Sequence, residues 1–434
     1  MDNDSAASEA PQFGFNLYGY LTSNIGLGVA GRNTAEMLLH NGTPVRLNDV
    51  SAGRGMQGKE RSLVEEIERS RGLAPYAMNL FHLNPDQMVY LLNPLSSRVT
   101  IRDRMQVCVP FWELPALPPV WHRPLEAMDL ILAPTRYIET AIRTELPQAR
   151  VLHFPQAVHI PDGIVADRAR FGLPEDATVF VMSFDMRSDI ERKNPWAAIE
   201  AFHKAFPSRS DVRLIVKVNN AGASVQFPAL VRRLNEAARD SRVVIRTEPM
   251  TYRDVLTLYA SSDALVSLHR AEGLGLSLLE AMSLGRPVIA TAFSGNTDFM
   301  TPENSCLVSY RMIPVVASTQ HAYSVKFAGP QEWAEADVEE AARYMTQLAD
   351  DPALRAKLGG RAAATAAAIR ESHDRGEVVT GVRREYEEWL ADPQRRAVTR
   401  ARMRGLERDF FVLYSKRLIL GALRRAKGLL GART

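Results

Sequence analysis

Two glutamates eight residues apart carry the most chemistry in this 434-residue chain. The stretch from His269 to Met282 reads HRAEGLGLSLLEAM. It places Glu272 in a glycine loop and Glu280 about two turns inside an apolar helix. An unpaired carboxylate among Leu276–Leu284 is costly if buried, so Glu280 needs a hydroxyl or a cation. A ligand ribose would supply the first and an internal salt bridge the second.

Two further stretches could meet an anion. RSDIERKNPW (187–196) sets Arg187, Arg192 and Lys193 in a loop ahead of a helix that starts near Pro195. Cations beside a helix N-terminus make a diphosphate site. A solvated loop with Glu191 as partner is the plainer reading. Near the N-terminus, GLGVAG holds Gly26, Gly28 and Gly31 at a strand-to-helix turn, and Asp49 lies 21 residues after Gly28. The spacing of this turn is close to that of a dinucleotide fingerprint, so an NAD-dependent dehydrogenase is one competing reading. Glycine needed only for turn geometry is another.

These residues need a scaffold, and the hydrophobic pattern supplies one. Short apolar runs alternate with helical periods from 13 to 155, beginning strand, glycine turn, helix, strand. A Pro- and Gly-bearing stretch, 159–176, reads as a linker. The alternation restarts at TVFVMSFD (178–185). Two such runs predict an α/β protein with two Rossmann-like domains facing across a cleft. The expected divisions are a disordered 1–12, an N-terminal domain 13–165, a second domain 175–385, and C-terminal helices 386–434 that cross back.

HRAEGLGLSLLEAMSLGRPVIAT resembles the EX7E region of retaining glycosyltransferases with the GT-B fold, in particular glycosyltransferase family 4. The ERKNP loop and the GLG turn sit where that family has them, and the resemblance spans about 13–390. SGNTDFM (294–300) and WELP (112–115) resemble a bacterial branch that makes cell-surface polysaccharides. The resemblance implies that Glu280 accepts hydrogen bonds from a nucleotide ribose. It implies that Glu272 faces the donor sugar, and that Gly273, Leu274 and Gly275 touch sugar hydroxyls and phosphate. Lys193, with Arg187 or Arg192, would neutralise the diphosphate, and Gly28 would approach it from the other domain.

The family's usual His-Asp pair is replaced here by Phe111-Trp112-Glu113. Glu113 then orients acceptor or donor sugar, or is a structural carboxylate at a strand end. His82 is a cleft-facing candidate or a core histidine. Arg270 pairs with Glu272 or with phosphate. Fixed cations and N–H groups can stabilise a departing nucleoside diphosphate, so neither cofactor nor metal is expected. Asp185 has no paired carboxylate to make a DxD site.

Composition narrows the partners. The net charge is +3, from 53 Lys+Arg and 50 Asp+Glu. Residues 395–434 hold twelve basic and two acidic residues, a net +10, which leaves −7 on the rest. From Phe410 to Leu430 the sequence has helical amphipathic spacing, with Phe411, Leu418, Ile419, Ala422, Leu423, Ala426, Leu429 and Leu430 on one side. Such a tail suits an anionic membrane surface, or else packs on the body or forms a homodimer. Nucleic acid is not expected, for no aromatic-interleaved basic pattern occurs. Cutting the chain before Arg395 is expected to leave donor binding intact. Cys108 and Cys306 are too far apart for a zinc or CxxC pattern and fit a reducing compartment. The polar N-terminus does not suggest a signal peptide, and no apolar run is long enough to span a bilayer. The expectation is a hexosyltransferase on the cytoplasmic face of a bacterial inner membrane, acting on a lipid-linked or glycan acceptor. A catalytically silent nucleotide-binding scaffold and, less favoured, a nucleotide-sugar epimerase on the same fold are the remaining alternatives.

Overall fold

The computed structural model describes residues 12–51, 74–92, 104–221, 228–315 and 330–431, with Leu63 and Ile67. The N-terminal segment expected to be disordered lies outside these, Gln12 excepted. Strands β1 (Phe15–Gly19), β2 (Val45–Asp49), β3 (Met78–His82), β4 (Met105–Cys108), β5 (Leu130–Ala133) and β6 (Val151–His153) form one parallel sheet, ordered β2-β1-β3-β4-β5-β6. Burial on both faces explains their near-continuous apolar runs. Helices α1 (Gly26–His40), α2 (Pro119–Glu126) and α3 (Arg136–Glu145) belong to this half.

A second parallel sheet contains β7 (Thr178–Asp185), β8 (Val212–Asn219), β9 (Val243–Arg246), β10 (Ala264–Ser267), β11 (Val288–Thr291) and β12 (Cys306–Val308), ordered β12-β11-β10-β7-β8-β9. Counted from β7, that is the 3-2-1-4-5-6 order of a dinucleotide-binding sheet, whose order reverses between β7 and β10. Its helices are α4 (Ile190–Lys193), α5 (Pro195–Ala205), α6 (Pro228–Ala237), α7 (Tyr252–Ser261), α8 (Leu276–Ser283), α9 (Val338–Asp350) and α10 (Pro352–Asp374). A hairpin of β13 (Tyr310–Pro314) and β14 (Glu332–Ala336), absent from the sequence reading, sends Trp333 into the apolar core of the first half.

The chain returns to the first sheet sooner than residue 386. Gly376, at φ 71°, ends the preceding turn, and α11 (Glu377–Ala391) buries Val379, Val382, Tyr386 and Trp389 against that sheet. The final helix, α12 (Pro393–Gly431), is also partly core. Asn16, Asn79 and Gln106 form an in-register polar ladder across β1, β3 and β4, bonded at 3.2 Å each. The ladder ends on Asp129, which accepts from the Gln106 N–H at 2.8 Å and the Trp389 indole at 2.9 Å. Thr399 donates to the same carboxylate, and Arg395 to the Asp129 carbonyl at 2.8 Å. Met403, Leu406 and Phe410 then bury against the first domain. The basic segment is therefore not one detachable tail. Its first half closes a buried polar network, so a cut before Arg395 would open that core.

Candidate active site

The reversal between β7 and β10 opens a crevice beyond the carboxyl ends of the two strands, where open α/β sheets bind ligands. The loop after β7 delivers two cations to it. Asp189 caps α4 by accepting the Arg192 N–H at 2.9 Å, and Asn194, at φ 48°, ends that single turn so that Pro195 can start α5. The loop after β10 delivers Glu272, and Gly275, at φ 86°, begins α8.

The two loops meet through charge. Lys193 Nζ ion-pairs Glu272, and Arg192 approaches the same carboxylate at 3.1 Å. Arg192 also donates to the Ala271 carbonyl at 2.8 Å and reaches Glu113 of the other domain at 3.5 Å. Burial raises the Glu272 pKa, but Lys193, Arg192 and His269 outweigh it and hold the group at about 2. Glu272 is thus a buried carboxylate held ionised at neutral pH.

Glu280, two turns along, is the reverse case. Burial drives its pKa up to about 7, against a 3.0 Å hydrogen bond from the Tyr252 hydroxyl and the nearby charge of Arg32. Its partner is a hydroxyl, one of the two options left open by the sequence. Arg32 comes from α1 of the first domain, donates to the Leu21 and Ser23 carbonyls at 3.1 and 2.9 Å, and lies 5.8 Å from the Tyr252 ring centre. Tyr252 and Arg32 carry no motif and were not singled out by the sequence.

The other named residues separate. Arg187 stands exposed on the loop, whereas Arg192 is 4% exposed, so the two differ in access to an incoming ligand. Arg270 turns away from Glu272 and pairs with Glu191 at 3.0 Å and Glu335 at 2.7 Å, anchoring the hairpin instead. His82 is fully buried, bonded to Thr34 at 3.2 Å, and burial lowers its pKa to about 4. It is a neutral core histidine here and not a group open to the cleft. At Gly28 a Cβ would lie 2.2 Å from the Ser23 carbonyl oxygen, so local packing alone demands glycine. Asp49 is engaged by Thr22 Oγ1 at 2.8 Å and Ser51 Oγ at 2.7 Å, which leaves a dinucleotide ribose a strong competitor for that carboxylate.

Gly273 and Leu274 lie buried at the domain junction. A Cβ on Gly273 would stand 2.9 Å from the Trp112 carbonyl, and Thr135 Oγ1 donates to the Gly273 carbonyl at 3.0 Å. The 294–300 loop closes over Glu272. Ser294 adopts φ 74° and ψ −147°, and its Oγ accepts the Glu272 N–H at 2.7 Å. Gly295 N–H donates to the Glu272 carbonyl at 2.9 Å. Among the described residues, no group of three or more His, Cys, Asp or Glu is placed to hold a metal ion.

Residues 179–319 match the family model described as Glycosyl transferases group 1. D-inositol 3-phosphate glycosyltransferases of Mycobacterium tuberculosis and Mycobacterium bovis are 30% identical over 131 residues, 30% of this chain and 26% of theirs. The chain thus aligns with about a quarter of the length of these relatives. Among solved structures, sucrose-phosphate synthase from Thermosynechococcus elongatus superposes with a TM-score of 0.59 at 14% identity, covering 88% of this chain and 100% of that one. Anabaena HepE in complex with UDP and glucose gives 0.56 at 14%, covering 85% and 100%. A glycosyltransferase from Rickettsia africae gives 0.57 at 13%, covering 85% and 97%. The architecture is the GT-B fold.

Proposed function

We propose that this chain is a retaining glycosyltransferase that moves a hexose from a nucleoside-diphosphate sugar to a lipid-linked or glycan acceptor in cell-surface polysaccharide synthesis. The observation that carries the reading is the meeting of Lys193, Arg192 and Glu272 at the β7–β10 reversal, with Glu280 two turns beyond. The match of 179–319 to the group 1 model covers all four residues and supports the same reading.

The chemistry follows from the charges. When a nucleoside diphosphate leaves, negative charge grows on its β-phosphate, and preorganised cations stabilise it. Lys193 and the exposed Arg187 are the pair we assign to the diphosphate. Arg192, held by Ala271 and Glu113, fixes the Glu272 loop from beneath. An ionised Glu272 beside the reacting carbon stabilises the positive charge that develops there. Glu280 accepts from ribose hydroxyls, exchanging its Tyr252 bond or sharing it. Because cations on the chain neutralise the leaving group, the reaction is expected to need no metal. Both cysteines, Cys108 and Cys306, are free and buried, which suits a bacterial cytoplasm.

The test is a screen of purified protein with UDP-, GDP- and dTDP-hexoses, a lipid-linked acceptor, and chelator in parallel. The expected product keeps the donor's anomeric configuration by NMR coupling constants, with turnover unchanged by chelator. An inverted product overturns the retaining mechanism. Tight nucleotide binding with no transfer to any acceptor favours a silent scaffold.

A further inference from the structure

The final helix presents two different faces along its length. Thr399, Met403, Leu406 and Phe410 face the first domain and are buried. At 3.6 residues per turn, Phe411, Val412, Leu418 and Ile419 lie roughly 90–170° around the helix from that buried line. All four are exposed, Val412 by 51% and Ile419 by 60%. These four side chains therefore share the half of the helix turned from the body, although exposure is not confined to that half, since Leu413, back toward the docked line, is 41% exposed as well. Nearer the body, Arg400, Arg404 and Arg408 recur every fourth residue and fall on the same outward side, all exposed. Of the two acids of the segment, Glu407 falls at the edge of this face, within about 20° of Arg400 and Leu418 around the helix, and Asp409 lies off it and is engaged by Arg123 at 2.6 Å.

We infer that this outward face docks on an anionic bilayer, with the arginine line on lipid headgroups and the Phe411–Ile419 stripe at the acyl boundary. Charge complementarity commits the face to that occupant: apolar residues flanked by Lys416 and preceded by three arginines, within a segment of net charge +10. No described helix is long and apolar enough to cross a membrane, so this one lies along the surface. From residue 411 it runs about 30 Å past its docked half. The inference is independent of the donor chemistry and adds to it a way of holding the cleft beside a lipid-linked acceptor.

The experiment is cosedimentation of the full-length protein with vesicles of phosphatidylcholine alone and of phosphatidylcholine mixed with phosphatidylglycerol. Binding is expected only to the mixed vesicles and should weaken with added salt. The triple variant Arg400→Ser, Arg404→Ser, Arg408→Ser should lose about 100-fold in partitioning, near fivefold per charge. Phe411→Ser, Leu418→Ser, Ile419→Ser together should lose binding even at low salt. Both variants should keep the wild-type thermal shift with a nucleoside diphosphate, which shows the body intact. Equal binding of wild type and both variants overturns the inference. So does a wild-type dimer by light scattering that the apolar triple variant converts to monomer, because a second copy then occupies the face.

Discussion

The Ser294 hydroxyl accepts the backbone N–H of Glu272 at 2.7 Å, from a residue held at φ 74° and ψ −147°. That region is almost exclusive to glycine and costs a serine about 1–3 kcal/mol. Gly295 cannot trade places with it, because a Cβ there would lie 2.2 Å from the Gly273 carbonyl oxygen. The Ser294 side chain thus ties the two loops over the crevice together, beside the Gly295 N–H bond to the Glu272 carbonyl at 2.9 Å. Ser294→Gly relieves strain while losing the hydroxyl, so Tm should stay within a few degrees of wild type. Turnover should fall about tenfold as Glu272 loosens. Ser294→Ala keeps the strain and should lower both. Wild-type turnover in Ser294→Gly would show that the contact does not position the carboxylate.

The two glutamates should leave opposite marks on stability against pH. The folded state raises the Glu280 pKa from 4.5 to about 7, so it binds that proton more tightly than the unfolded chain. Its contribution is present below pH 4.5 and is lost as pH rises toward 7, by at most roughly 3 kcal/mol. Glu272 is depressed to about 2, so its contribution is present above 4.5 and is lost as pH falls toward 2. Denaturant titrations should show Glu280→Gln flattening the first window and Glu272→Gln the second. A Glu280→Gln profile parallel to wild type from pH 4.5 to 7 would count against the burial argument.

Nucleotide affinity should share the Glu280 titration. Ribose hydroxyls donate best to the ionised form, so nucleoside diphosphate binding should strengthen about threefold or more from pH 6 to 8. Calorimetry at several pH values reads this directly. Loss of the trend in Glu280→Gln ties it to that carboxylate; its persistence assigns it to another group.

Arg187 and Arg192 should part in their effects. Arg192→Leu strips a buried carboxylate and the Ala271 carbonyl of a partner, a loss of about 3–5 kcal/mol by denaturant unfolding. Arg187→Ala removes an exposed side chain and should leave Tm unchanged while raising donor KM. Equal destabilisation by the two would refute the division of labour.

Removal of 395–434 should destabilise the first domain, since Thr399, Arg395 and the buried Met403, Leu406 and Phe410 go with it. A stop after Phe410 keeps all five. Its Tm should match wild type, while the longer deletion should unfold several degrees lower or fail to accumulate.

Much of the scaffold and of the glutamate loop is written in local spacing. Apolar runs at strand length, glycine at Gly275 and proline at Pro195 are local signals, and they place the alternating elements of both sheets. The glutamate pair, eight apart on a loop and a helix, is likewise local, because helical spacing fixes where Glu280 falls relative to Glu272. What had to wait for tertiary structure is every pairing across the fold. Arg192 and Arg187 look alike in sequence, yet only one is buried under Glu272. Arg270 lies two positions before Glu272 in the chain but pairs with Glu191 and Glu335. Tyr252 and Arg32, which surround Glu280, lie 28 and 248 positions away and belong to no motif. The C-terminal charge was plain from composition. Its division into a docked half and an outward half depends on which helical face the Asn16-to-Asp129 polar ladder and the first-domain core hold. Spacing along a chain encodes what one element presents, whereas desolvation and charge pairing are set by the elements packed against it.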